Sequence, residues 1–224
     1  MKTSLNIPAW LFLLSLLGTA CGSNKTSAGD YEPVDSGPVE INRYEGEKLS
    51  SSMDFRENSI QGPQQIDLAE YSLEVFGMVE NPGSFSYEKL IARESVKKVV
   101  DMHCVEGWSV KILWEGFRLK DLLDEAGLTP GANTVIFHCH DGYTTFLSLN
   151  YIMVNDILLA YKMNDAPLRP ERGFPFQLVA ENKLGYKWAR WVTKIEVTDS
   201  AEGSGYWENS GYPPGGDLDD WYYR

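Results

Sequence analysis

The chain has 224 residues, 43% of them hydrophobic, and a formal net charge of −12. That length buries one sizeable core and is short for two. The acidic balance excludes nucleic acid as a partner, because phosphate would be repelled.

Residues 1–20 combine one basic residue (Lys2), an apolar run from Ile7 to Leu17, and small residues Gly18, Thr19 and Ala20 ahead of Cys21. The run falls short of the roughly 20 residues a membrane-spanning helix needs, so it predicts a secretory signal. The cysteine after the small residues predicts a lipoprotein signal in which Cys21 is acylated. An ordinary cleaved signal peptide is the alternative. The lipoprotein reading places the protein outside the cytoplasm, anchored to a membrane and facing the periplasm or the cell exterior. No twin-arginine pair precedes the apolar run. Residues 21–40 are rich in Gly, Ser, Pro and charge and predict a flexible tether. Two further cysteines remain, Cys104 and Cys139, and in an exported protein their plain reading is one disulfide.

Along the chain, alternating apolar residues predict a strand over Tyr71–Val79, followed by a turn at Asn81-Pro82-Gly83 and a short helix capped by Ser86 and running to Ala92. A strand over Val96–Met102 leads into His103 and Cys104. Leu119–Ala126 has helical spacing of its apolar residues and stops at Gly127. Next come a strand over Thr134–His140, a tight turn at Asp141-Gly142 and a partner strand over Thr144–Leu149. The remainder predicts a short apolar helix over Asp156–Tyr161, a turn with Pro167 and Pro170, and strands over Phe176–Val179 and Trp191–Val197. Strands and short helices interleave without a strict repeat, which predicts an α+β domain over residues 41–204. The tail, residues 205–224, is acidic and dense in aromatic residues, so part of it should pack back on that domain.

Cys104 sits at a strand end in Asp-Met-His-Cys-Val-Glu-Gly-Trp-Ser. A thiolate there can be a nucleophile, a metal ligand or half of a disulfide, and spacing alone leaves these open. His138 and His140 share one face of a strand and could join Cys104 around zinc. No general-base motif accompanies them.

The run from about Tyr71 to Val197 resembles the molybdopterin-binding domain of the sulfite oxidase family, including its small bacterial members and the catalytic subunits of periplasmic methionine sulfoxide reductases. Four ordered blocks carry the resemblance: Cys-Val-Glu-Gly-Trp-Ser at Cys104–Ser109 with Trp-Glu-Gly-Phe-Arg-Leu-Lys-Asp-Leu-Leu after it, Asp-Gly-Tyr at Asp141–Tyr143, Gly-Phe-Pro-Phe-Gln-Leu-Val-Ala, and Gly-Tyr-Lys-Trp-Ala-Arg-Trp-Val. The resemblance implies a mixed α+β molybdopterin fold and an oxidoreductase carrying a molybdenum-molybdopterin cofactor. It puts the metal's protein ligand at Cys104, where a soft thiolate suits the metal. The family's active-site tyrosine falls on Tyr143, and Trp108 lies beside the same centre. The pterin-holding positions fall on Arg172, Gln177, Lys187, Trp188, Ala189 and Arg190, with Cys139, Arg56 and Asn58 as further candidates. Family members usually carry His or Asn where Arg172 stands and Arg where Gln177 stands.

No arginine closely follows Cys104, so the sulfite dianion is not the expected substrate. A small neutral S-oxide or N-oxide suits a site with Trp108, Tyr143 and an acidic neighbour. No haem motif or cluster cysteines are present, so electrons must pass through a separate redox protein, a cytochrome or membrane electron carrier. A leader without twin arginines, made for unfolded chains, supplies the second reading: a cofactor-free exported lipoprotein that keeps the fold as a binding module, with Cys104 and Cys139 joined in a disulfide.

Overall fold

The computed structural model describes residues 39–219. The predicted signal, Cys21, nearly all of the tether and the last five residues lie outside the described residues.

A small hairpin of β1 (Arg43–Tyr44) and β2 (Glu47–Lys48) precedes the main elements. These are β3 (Ser72–Gly77), β4 (Gly83–Ser86), α1 (Tyr87–Ile91), β5 (Val96–His103), β6 (Ser109–Arg118), α2 (Leu119–Ala126), β7 (Thr134–Cys139), β8 (Thr144–Ser148), α3 (Leu149–Val154), β9 (Leu158–Met163), β10 (Ala166–Pro167), β11 (Gln177–Val179) and β12 (Val192–Thr198). They form two five-stranded sheets. In the first the order is β10-β9-β6-β5, with β11 also on β9, and every pairing is antiparallel. In the second the order is β4-β3-β12-β7-β8, and only β3 and β12 run parallel. One continuous apolar core draws on both sheets, with Leu73, Val75, Phe137 and Ile195 from one and Ile112, Phe117, Leu159 and Leu178 from the other. Both sheets therefore belong to one α+β unit.

Local chemistry explains the element ends. The Ser86 hydroxyl accepts from the Lys89 N–H and starts α1. α2 buries Leu119, Leu122, Leu123 and Ala126 on one face, and Gly127 ends it with a positive φ that glycine adopts without strain.

One expectation fails. The segment predicted as a helix over Asp156–Tyr161 enters β9 instead. Ile157, Leu158, Leu159 and Ala160 are buried on both faces, and a short continuous apolar run carries no period that separates a central strand from a helix. The helix in this region is α3, one segment earlier, begun where the Ser148 hydroxyl accepts from the Tyr151 N–H. Gly116 explains how β9 fits. At the register shift between Glu115 and Gly116, a Cβ on Gly116 would lie 2.1 Å from the Leu159 carbonyl oxygen. Among the described residues no helix is long and apolar enough to cross a membrane.

Candidate active site

β5 delivers Cys104 just past its end, where the chain turns tightly. The Cys104 N–H donates to the Trp108 carbonyl (2.9 Å) and the Gly107 N–H to the Cys104 carbonyl (3.1 Å), with Gly107 at φ +82°. The turn swings Cys104, Glu106 and Trp108 to one side, where they line a cavity of about 230 Å³. Gly185 packs under it: a Cβ there would come within 3.1 Å of the Met102 methyl and 3.5 Å of the Cys104 Cα. The thiol is largely buried, and burial pushes its pKa up. The backbone around Val105 and Glu106 and the charge of Arg56 pull the other way.

Above the thiol, the Asn58 side-chain amide reaches the Cys104 sulfur at 3.8 Å. Arg190 extends the group: its guanidinium donates to Asn58 Oδ1 and Glu57 Oε1, both at 3.1 Å, and to the Glu171 carbonyl at 3.2 Å. Gln177, nearly buried, stands beside it, because a Cβ on Gly173 would meet the Arg190 Cβ at 2.9 Å and the Gln177 Cβ at 3.0 Å. Of the residues singled out from the sequence, Cys104, Trp108, Tyr143, Arg56, Asn58, Gln177, Trp188 and Arg190 all line this one cavity.

The other candidates lie elsewhere. Arg172 is buried behind the wall, donating to the Ser52 and Phe55 carbonyls (2.6 and 3.2 Å) under the Phe55 ring. It fixes the segment that carries Arg56 and Asn58 rather than reaching into the cavity. Lys187 is fully buried and spends its ammonium on Glu208 and on the Phe146 carbonyl (2.9 Å). Ala189 and Cys139 are buried off the cavity, and burial pushes the Cys139 thiol far up. Cys104 and Cys139 are separate thiols, so the predicted disulfide is not formed. The zinc reading also fails. Among the described residues no group of three His, Cys, Asp or Glu side chains could hold a metal, and the His138 ring contacts the Glu196 carboxylate at 2.9 Å.

Tyr143 donates its hydroxyl proton to the Tyr186 carbonyl, and burial holds the phenol neutral far beyond its ordinary range. Among the lining residues not singled out in the sequence are Trp207 and Tyr212, from the C-terminal tail. The tail's aromatic density was the available signal for them.

The donor set suits one kind of guest. A single soft sulfur sits beneath amide and guanidinium donors, with indole faces beside them, as fits a metal held in an anionic planar ligand. Residues 60–207 match the family model described as an oxidoreductase molybdopterin binding domain. The chain belongs to that family. Its cofactor is accordingly molybdenum-molybdopterin, and the chain is an oxidoreductase of the sulfite oxidase-like molybdopterin group. It is 36% identical over 156 residues to the uncharacterized oxidoreductase YuiH of Bacillus subtilis, covering 69% of this chain and 78% of that protein. It is 26% identical over 207 residues to the protein-methionine-sulfoxide reductase catalytic subunit MsrP of Campylobacter jejuni, covering 82% and 69%. Among solved structures, the sulfane dehydrogenase SoxCD of Paracoccus pantotrophus shares the fold with a TM-score of 0.59 at 23% identity, over 62% of this chain and 41% of that one.

Proposed function

We propose that this molybdopterin oxidoreductase transfers an oxygen atom to or from a small neutral S-oxide or N-oxide, exchanging electrons with a separate redox protein. The observation that carries the reading is Cys104, set under Asn58 on a cavity whose remaining walls include Trp108, Tyr143, Trp207 and Tyr212. No arginine lies between Cys104 and Ser109, so the turn that carries the thiol offers no guanidinium to a dianion such as sulfite. The methionine-sulfoxide reductase named among the relatives supports the same substrate class.

When bound, the molybdenum-pterin group supplies the two-electron redox centre. In the reductive direction an S-oxide, two electrons and two protons give a thioether and water. This chain's residues do the rest. Cys104 would hold the metal as the thiolate, which the Asn58 amide and Arg56 favour against the cost of burial. Arg190, Arg56, Asn58 and Gln177, all on the cavity lining, would hold the anionic cofactor. Tyr143 remains a neutral phenol that packs against the substrate. Glu106, on the cavity lining and hydrogen-bonded to the Trp108 indole N–H at 3.0 Å, is placed to pass protons.

We place the protein on the outer side of the membrane, held by lipid on Cys21 and served by a cytochrome or membrane electron carrier. Labelling with a palmitate analogue that is lost in Cys21→Ser tests the anchor. Elemental analysis of protein from its native membrane tests the enzyme. The expected result is about one molybdenum per chain, with turnover of dimethyl sulfoxide by reduced methyl viologen, both lost in Cys104→Ser. Molybdenum-free protein would overturn the enzyme reading, and molybdenum-loaded protein that turns over no S-oxide or N-oxide would overturn the substrate class.

A further inference from the structure

The cavity lining holds two chemically different groups of side chains. Arg190, Asn58 and Gln177 form one contiguous polar cluster. The second is a chain of rings in which Tyr143 meets Tyr206 at 5.8 Å, Tyr206 meets Trp207 at 5.3 Å, and Trp207 and Tyr186 each meet Tyr212 at 5.2 Å, with Tyr143, Tyr186, Trp207 and Tyr212 on the lining. The polar cluster suits an anionic cofactor. The chain of rings presents apolar faces and suits a neutral substituent. Trp207 ends the span matched to the family, and Tyr212 lies beyond it.

The tail is fastened from beneath. Lys187 is fully buried and the Glu208 side chain is 3% exposed, and the two form an ion pair. The Thr145 hydroxyl donates to the same Glu208 oxygen at 2.7 Å, and Gly205 leaves room for the carboxylate, since a Cβ there would lie 2.5 Å from Glu208 Oε2. A buried charge left without its partner costs far more than the pair itself contributes, so the tail docks only with Glu208 seated on Lys187.

We propose that the tail segment 206–212 is the specificity-determining wall of the active site, selecting S-oxides that carry an apolar substituent, and that the Lys187–Glu208 pair positions it. The inference rests on the oxygen-transfer reading above.

Sulfones resemble S-oxide substrates without a sulfoxide to reduce, so they report binding apart from turnover. Calorimetry on molybdenum-loaded enzyme should compare methyl phenyl sulfone with dimethyl sulfone. In Trp207→Ala the ratio of phenyl to methyl affinity should fall about tenfold, with molybdenum content kept. Glu208→Gln should lower the same ratio about fivefold by leaving Lys187 unpaired, and the double variant Lys187→Met with Glu208→Leu, which has no buried charge, should restore most of it. An unchanged ratio in Trp207→Ala would overturn the wall. Equal loss of both sulfones together with molybdenum would overturn it too, by making the tail a cofactor support. A wild-type ratio in Glu208→Gln, or no recovery in the double variant, would overturn the positioning role. Wild-type enzyme that takes neither sulfone removes the S-oxide reading itself, and shows this before any variant is made.

Discussion

Asn58 and Cys104, 46 residues apart, meet where the Asn58 Nδ2 stands 3.8 Å from the Cys104 sulfur. A guanidinium only donates, so the contact from Arg190 to Asn58 Oδ1 fixes the amide with its NH₂ toward the sulfur. The sulfur thus receives a hydrogen bond whose direction is set by a third residue.

Asn58→Ala removes that bond and leaves Arg190 with one partner fewer. Groups that orient a metal's ligand are worth about 10- to 100-fold in activity or metal affinity, and we expect a drop of about tenfold in kcat/KM for dimethyl sulfoxide. Assays with reduced methyl viologen, normalised to molybdenum content, check it. An unchanged rate at unchanged occupancy would show that the sulfur needs no second partner.

Gly173 has φ +90°, and its missing Cβ lets Arg190 and Gln177 close on each other. Gly173→Ala should cost about 1–3 kcal/mol through backbone strain and crowding. It should also lower cofactor occupancy, because both displaced side chains line the cavity. Chemical denaturation with molybdenum analysis separates the two effects. A variant that loses stability and retains full occupancy would detach these two residues from cofactor binding.

Gly116 serves the fold instead. A Cβ there would fall 2.1 Å from the Leu159 carbonyl oxygen and 2.6 Å from the Ala160 Cα, inside the central pairing of the first sheet. Neither neighbour is the flexible end of a side chain, so Gly116→Ala should destabilise the domain by about 3 kcal/mol. A shift in the urea midpoint measures this, and a neutral result would mean that the β6–β9 register can slip.

The parts of this architecture legible in the sequence are those written in local chemistry. Ser86 and Gly127 mark helix ends because a hydroxyl cap and a positive φ are properties of single residues. β9 was illegible because burial on both faces erases periodicity, and the feature that admits it, Gly116, lies on another strand. The site divides in the same way. Cys104 stood out by residue type and motif, and Asn58 was a further candidate that only the resemblance suggested. Arg172 and Lys187 do not line the cavity, and a basic residue next to a motif looks the same in the sequence whether it faces the cavity or a carbonyl or carboxylate behind it. The tail's aromatic residues announced packing, but nothing local to them said that the surface they pack on borders Cys104.

Cys139 gives a pH dependence whose sign follows from burial. The folded protein holds its thiol pKa far above the ordinary value, mainly through desolvation and secondarily through Asp141. In the unfolded chain a thiol loses its proton near its ordinary value of about 8.5. Above that value the folded state binds more protons than the unfolded one, so stability falls as pH rises. The contribution is fully present below about pH 8.5 and is lost at about 1.4 kcal/mol per pH unit above it. Tyr71 and Tyr143 are displaced the same way, but an unfolded tyrosine ionises only near about pH 10, so the window from pH 8 to 9.5 reports the thiols, and comparison with Cys139→Ala separates Cys139 from Cys104, whose pKa burial also raises. Urea denaturation across that window should cost wild-type protein about 1.3 kcal/mol more than Cys139→Ala, whose lower starting stability should change less with pH. Equal slopes would mean that Cys139 ionises as readily folded as unfolded, which its burial beside Asp141 opposes.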